Sequence, residues 1–372
     1  MRILHVIPSV SRSEGGPSHV LPLMVEGLSQ RGHELVIATT HGKAEIAPSP
    51  TGAHHSFPRQ SEFYKVSFPL TRWVSREVRE FDLVHIHALF SHSSVEAARI
   101  AAKSGVPYVI RPLGVLNQYG VTSRRRWLKQ FSLACREAPV IRKAGAMHFT
   151  SEAEKNEAEL LGIPMNSRVI PLGIQVPETI PEERPKFPNT ILFLSRIDPK
   201  KNLEALIDAW SSLDPEVASG WTLRIAGSGN PSYVESLKSR ARQSKNARMI
   251  EWCGFVEGAE KQRLFSEATL FALPSFSENF GIAAVEAMGA GIPSLLTAGV
   301  AVGAAAAECG GCALTDTSSS GIAAGLSHLM RSAEDRRQIA HRGHDFVRAH
   351  YSVETMAESL ESLYAELTQS RS

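Results

Sequence analysis

Short apolar runs rich in β-branched residues alternate along this chain with stretches whose apolar positions recur at helical spacing. The spacing predicts strands over residues 3–7, 34–39, 83–87, 108–111 and 146–150. Helices are predicted over 17–30, 93–103, 124–143 and 153–161. The alternation restarts with strands at 190–195, 222–226, 249–253, 270–273 and 294–296. Helices at 202–213, 231–244, 259–268 and 281–290 alternate with them, and a long amphipathic one closes the chain at 353–369. Strands that alternate with helices make parallel sheets, and nearly continuous apolar runs suit strands covered on both faces. The fold class expected is therefore α/β: two Rossmann-like β/α/β domains facing each other across a deep cleft. Ligands in such sheets sit outside the carboxyl ends of the strands.

Between the two series the pattern breaks. Residues 176–188 hold four prolines and several charges, the composition of a linker. The expected domains are 1–175 and 189–350. The segment 351–372 is a C-terminal helix able to pack back on the first domain. A length of 372 residues suits two domains.

Composition narrows the classes. No apolar run reaches the roughly 20 residues of a membrane span, and the short apolar start reads as a buried strand, so a cytoplasmic protein is expected. Four cysteines do not make a disulfide scaffold, and Cys309-Gly310-Gly311-Cys312 has no second pair to complete a zinc site. Charge is uneven: residues 1–172 carry 21 Lys and Arg against 14 Asp and Glu, the remainder 19 against 24. A basic front half can meet nucleic acid, anionic lipid or a phosphorylated substrate. No nucleic-acid motif accompanies it.

Four features point to chemistry. Glu278-Asn279-Phe280-Gly281-Ile282-Ala283-Ala284-Val285-Glu286 places two carboxylates around a predicted helix start. Helix N-termini seat phosphate oxygens, whereas carboxylates accept hydroxyl protons. A ligand with phosphates in the middle and hydroxyls at both ends, such as a nucleotide sugar, satisfies both; two solvated glutamates beside a helix cap is the plain alternative. Arg196 and Lys201 flank the loop after the first strand of the second half, where two cations would hold a diphosphate and stabilise its growing charge. Gly15 and Gly16 follow the first strand and permit close backbone approach to a ligand. His85 and His87 lie on the same side of their strand, and one of them could reach the cleft. No Asp-x-Asp occurs, so no metal and no cofactor is expected, with Arg196 and Lys201 supplying the metal's charge.

These motifs, with Ile225-Ala226-Gly227-Ser228-Gly229, Gly254-Phe255-Val256 and Glu286-Ala287-Met288-Gly289-Ala290-Gly291-Ile292-Pro293, resemble the retaining glycosyltransferases of family 4, which have the GT-B fold. The resemblance covers nearly the whole chain and implies that 1–175 binds the acceptor and 189–350 the nucleotide sugar. It implies that Arg196, Lys201, Gly15, Gly16 and Ile282 meet the donor diphosphate. Glu278, Asn279, Phe280 and Gly281 would hold the donor sugar, and Glu286 the ribose. Phe255 and Val256 would meet the base, and His87 the C6 side of the sugar; the catalytic set is His87, Glu278, Arg196 and Lys201. Retention by front-face substitution, with the leaving phosphate taking the acceptor's proton, needs no protein nucleophile.

The loop Arg111–Gly120 resembles a subset acting in exopolysaccharide and surface-polysaccharide synthesis, which implies a glycan or polyprenyl-diphosphate-linked acceptor. The basic and aromatic stretch Arg124–Phe131 would offer a peripheral membrane contact. The expected activity is hexose transfer with retention, with UDP-glucose as leading donor and GDP-mannose or UDP-N-acetylglucosamine as alternatives. A sugar-nucleotide epimerase, a phosphorylase and a non-catalytic nucleotide-sugar-binding protein are the rivals. Alanine-rich 298–308 has no assigned role.

Overall fold

The computed structural model describes residues 1–10, 16–42, 53–116, 132–180, 189–278 and 280–369. It divides into two compact units, residues 1–173 with 353–372, and residues 174–352. Among the described residues no helix is long and apolar enough to cross a membrane.

The first unit is a parallel sheet of β1 (Arg2–Ile7), β2 (Glu34–His41), β3 (Ala53–Pro58), β4 (Leu83–His87), β5 (Tyr108–Arg111), β6 (Ala146–Phe149) and β7 (Ser167–Val169), in the order β3-β2-β1-β4-β5-β6-β7. Side-chain alternation splits its core into two layers. Leu4, Val6, Val84, Ile86 and Ile110 face one layer, covered by the helices Phe68–Glu77 and His92–Lys103. Ile3, Ile7, Leu83 and Val109 face the other, packed with Leu21, Met24, Leu28, Met356, Leu360 and Tyr364. The C-terminal helix Val353–Gln369 thus belongs to the first unit. It crosses Gly16–Gln30 where Gly27 leaves room: a Cβ there would stand 2.7 Å from Val353 Cγ1. The prolines of 181–188 lie outside the described residues, but Ile180 packs directly on Gly291, so chain from Ile174 onward is part of the second unit.

The second unit is a six-stranded parallel sheet of β8 (Asn189–Leu194), β9 (Trp221–Ala226), β10 (Ile250–Gly254), β11 (Leu270–Leu273), β12 (Ser294–Thr297) and β13 (Ala313–Thr315), ordered β10-β9-β8-β11-β12-β13. The strand order reverses between β8 and β11. The loops after those two strands therefore diverge and leave a crevice at their carboxyl ends, the place where doubly wound sheets take ligands.

Candidate active site

Both predicted carboxylates and both predicted cations issue from elements at that reversal. After β8 the chain runs through Ser195-Arg196-Ile197 into a single 3-10 turn, Pro199–Lys201, capped by Asp198, whose side chain accepts from the Lys200 N–H. Asn202 follows in a left-handed conformation (φ 56°) and opens the helix Leu203–Ser212. That sharp turn sends Lys201 inward, to 6% exposure, while Arg196 remains at the surface.

The loop is clamped from the side by Gly227-Ser228-Gly229. Ile197 N–H donates to Ser228 O at 2.8 Å, and a Cβ on Gly227 or Gly229 would collide with the carbonyl oxygens of Ser195 and Ile197. Gly227→Ala, which also has to adopt φ 145°, is expected to cost about 3 kcal/mol, the upper end for forced overpacking, and to weaken diphosphate binding. Chemical denaturation and nucleotide titration of the variant check both.

After β11 the chain is held from two sides. Phe276 N–H donates to Lys200 O at 2.8 Å, and Thr297 Oγ1 to Ser275 O at 2.5 Å. Glu278 N–H donates to Gly299 O at 2.8 Å, and Ala301 N–H donates back to Glu278 O at 3.2 Å. The alanine-rich segment acquires a role here. Gly299 lets residues 299–301 lie against the backbone of Glu278, since a Cβ there would stand 2.4 Å from Phe276 O. So anchored, Glu278 Oε1 meets Lys201 Nζ at 2.5 Å, with only 16% and 8% of the two side chains exposed.

Gly281 (φ 83°) turns the chain into the helix Ile282–Gly289, whose first N–H groups open toward its N-terminus. Phe280 is 8% exposed, its ring packed edge-on against Tyr351 at 5.6 Å, so only its backbone is available to a ligand. Further along the helix Glu286 Oε1 accepts from Lys261 Nζ at 2.7 Å. Lys261 lies on the helix Gly258–Glu267 and carries no motif in the sequence. Phe255 is 65% exposed at the end of β10 and Val256 is half-buried. Gly15 and Asn279 lie outside the described residues, as does the Arg124–Phe131 stretch; Gly16 is the first residue of its helix.

His87 differs from the expectation of a cleft-facing side chain. It shares a face with His85, as the alternation requires, but it is completely buried. That face also carries His5, His148 and Arg111, all shielded from solvent. His148 donates from Nε2 to Ile170 O at 2.8 Å, which leaves its Nδ1 to face His85 Nε2 at 3.4 Å. His85 Nδ1 then accepts from the Tyr364 hydroxyl at 2.6 Å. His87 Nε2 and His5 Nδ1 lie 3.0 Å apart. Burial, reinforced by the Arg111 guanidinium, holds His5 and His148 down at about 3 and His85 and His87 well below the ordinary value. Donor atoms of His5, His85 and His87 come within 4.8 Å of one another, but the neighbouring Arg111 guanidinium repels a cation there. Cys309 and Cys312 are free thiols that donate to Ala306 O and Gly303 O, and burial pushes Cys312 up to about 12, which makes it inert.

Comparison with known proteins agrees with this architecture. Residues 15–173 match the glycosyl transferase 4-like domain, and residues 177–346 match glycosyl transferases group 1. The chain belongs to these GT-B glycosyltransferases. It is 33% identical over 106 residues, 28% of its length, to the serotype-specific mannosyltransferase WbdA of Escherichia coli; the match spans 13% of WbdA. It is 24% identical over 311 residues to the GDP-mannose:cellobiosyl-diphosphopolyprenol alpha-mannosyltransferase of Xanthomonas oryzae, covering 80% of this chain and 78% of that protein. The crystal structure of Anabaena HepE in complex with UDP superposes with a TM-score of 0.78 at 20% identity, over 99% of this chain and 100% of that one.

Proposed function

We propose that this protein transfers a hexose from a nucleoside diphosphate sugar to a hydroxyl of a glycan or polyprenyl-diphosphate-linked saccharide, with retention of configuration. The observation that carries the reading is the juxtaposition of Lys201 and Glu278 at the strand-order reversal, beside the open N-terminus of the helix Ile282–Gly289. Lys201, Arg196 and the N–H groups near Ile282 hold the diphosphate. Glu278 and the Phe280-Gly281 backbone hold the sugar, and Glu286 the ribose. Phe255 and Val256 take the base. The bond from sugar C1 to the diphosphate oxygen breaks as the acceptor oxygen bonds to C1 from the same face, and the acceptor's proton passes to the departing phosphate.

GDP-mannose is the first donor to test, because the named relatives are mannosyltransferases and one of them spans most of this chain. UDP-glucose is the second. The charge on Lys201 and Arg196 makes the transfer independent of a divalent cation. A thermal-shift panel of GDP-mannose, UDP-glucose and UDP-N-acetylglucosamine, run in EDTA, tests donor and metal together. One donor at a hundredfold over its Kd is expected to stabilise the protein by about 2.7 kcal/mol. A strict requirement for added magnesium or manganese contradicts the metal-independent reading.

A further inference from the structure

Glu286 is held asymmetrically. Its Oε1 accepts from Lys261 Nζ at 2.7 Å, with 25% of the glutamate side chain exposed. Its Oε2 is shut from solvent and has no hydrogen-bond partner among the described residues. A buried carboxylate oxygen left without a donor is costly, and an ammonium on the sister oxygen offsets part of that cost. Lys261 is itself fixed at two points, since its Nζ stands 5.8 Å from the centre of the Phe265 ring on its own helix. Geometry of this kind sets the carboxylate's torsion. It also leaves Oε2 with no donor and Oε1 with one, so the carboxylate keeps acceptor capacity for hydroxyls.

We infer that Lys261 is a positioning residue that orients Glu286 to receive the vicinal hydroxyls of the donor's ribose. This rests on the reading of Glu286 as the ribose acceptor. Without the ammonium the carboxylate is free to swing toward water, and the ribose loses a preorganised partner. The diphosphate, held elsewhere by Lys201 and Arg196, does not. The consequence is a selective one: Lys261 matters to nucleotides that carry ribose hydroxyls and is nearly silent toward those that lack them. In turnover its loss raises KM for the donor and leaves kcat almost unchanged, because the ribose is bound alike in ground and transition states.

Calorimetric titration of the full-length protein with GDP and UDP, and with the 2′,3′-dideoxy form of each, tests this. Wild type is expected to bind the better ribonucleotide at least tenfold more tightly than its dideoxy form. Lys261→Met should bring that ratio close to the ratio of Glu286→Ala, with the dideoxy affinity unchanged, and Lys261→Arg should restore it. Lys261→Gln, which keeps a polar side chain at this partly exposed position, should behave as Lys261→Met, and equal melting temperatures exclude a folding defect. If Glu286→Ala lowers the ratio and Lys261→Met leaves it at the wild-type value, the role of Lys261 is overturned while the ribose reading stands. If Glu286→Ala also keeps the ratio, or wild type binds neither nucleotide, the ribose reading falls and the inference with it.

Discussion

Lys201→Ala is expected to lower kcat/KM for hexose transfer roughly 10²–10³-fold, the loss that follows removal of one preorganised donor from the charge that develops in a transition state. Two effects add. The departing diphosphate loses a cation with only 8% of its side chain exposed, whose low-dielectric setting makes it worth more than a surface lysine. Glu278 loses the partner 2.5 Å from its Oε1 and is left as an uncompensated, largely buried carboxylate facing incoming phosphates. Nucleoside diphosphate binding should weaken as well. Glu278→Ala separates the two roles. It too should lose most turnover, because the sugar hydroxyls lose their acceptor, yet it frees Lys201 for phosphate, so affinity for the nucleoside diphosphate alone should hold or rise. Initial rates and calorimetry on the two variants read this contrast. Near-normal turnover in either, or equal loss of nucleotide affinity in both, contradicts the assignment.

The second large effect is on stability against acid. His5, His85, His87 and His148 are neutral in the folded protein because burial among one another, beside Arg111 and under Tyr364, disfavours their charged forms. In the unfolded chain each regains a pKa near 6.5, so the unfolded state binds the additional protons as pH falls. The stability these groups leave intact at neutral pH is therefore lost as pH drops below about 6.5. Between pH 7 and pH 5.5 linkage gives about 1.2 kcal/mol for each histidine, ~5 kcal/mol for four, a large share of an ordinary domain's stability. Denaturation midpoints of the first unit should fall steeply across that window. His148→Gln, which keeps a donor for Ile170 O, should flatten the slope by one proton. A stability that does not change between pH 7 and pH 5.5 contradicts the burial of the cluster.

What the sequence disclosed follows from where each residue's signal comes from. Central strands such as β1, β4, β8 and β11 are buried on both faces and, the histidines of β1 and β4 aside, stand out as apolar runs. The edge strand β3, Ala53–Pro58, has mostly exposed or half-exposed side chains and reads as loop. The strands β7 and β13 are three residues long, too short to show a period. Lys201 and Glu278 could be anticipated because turn residues and a glycine mark the loops that carry them. Lys261 could not, since a lysine on an amphipathic helix gives no sign of its partner 25 residues away. The histidines were visible one strand at a time. That β1, β4 and β6 bring four of them to one face depends on strand order, which no local pattern encodes. The alanine-rich segment was conspicuous, but its use, as packing against Glu278, needed the parallel bridge between Glu278 and Val300.

The most direct test of the central assignment is calorimetric titration of the intact protein with GDP-mannose and UDP-glucose in EDTA, beside Lys201→Ala. One of them is expected to bind with no divalent ion present, and the substitution to remove most of the heat. Silence from every nucleotide sugar, or binding that Lys201→Ala leaves intact, would contradict that assignment.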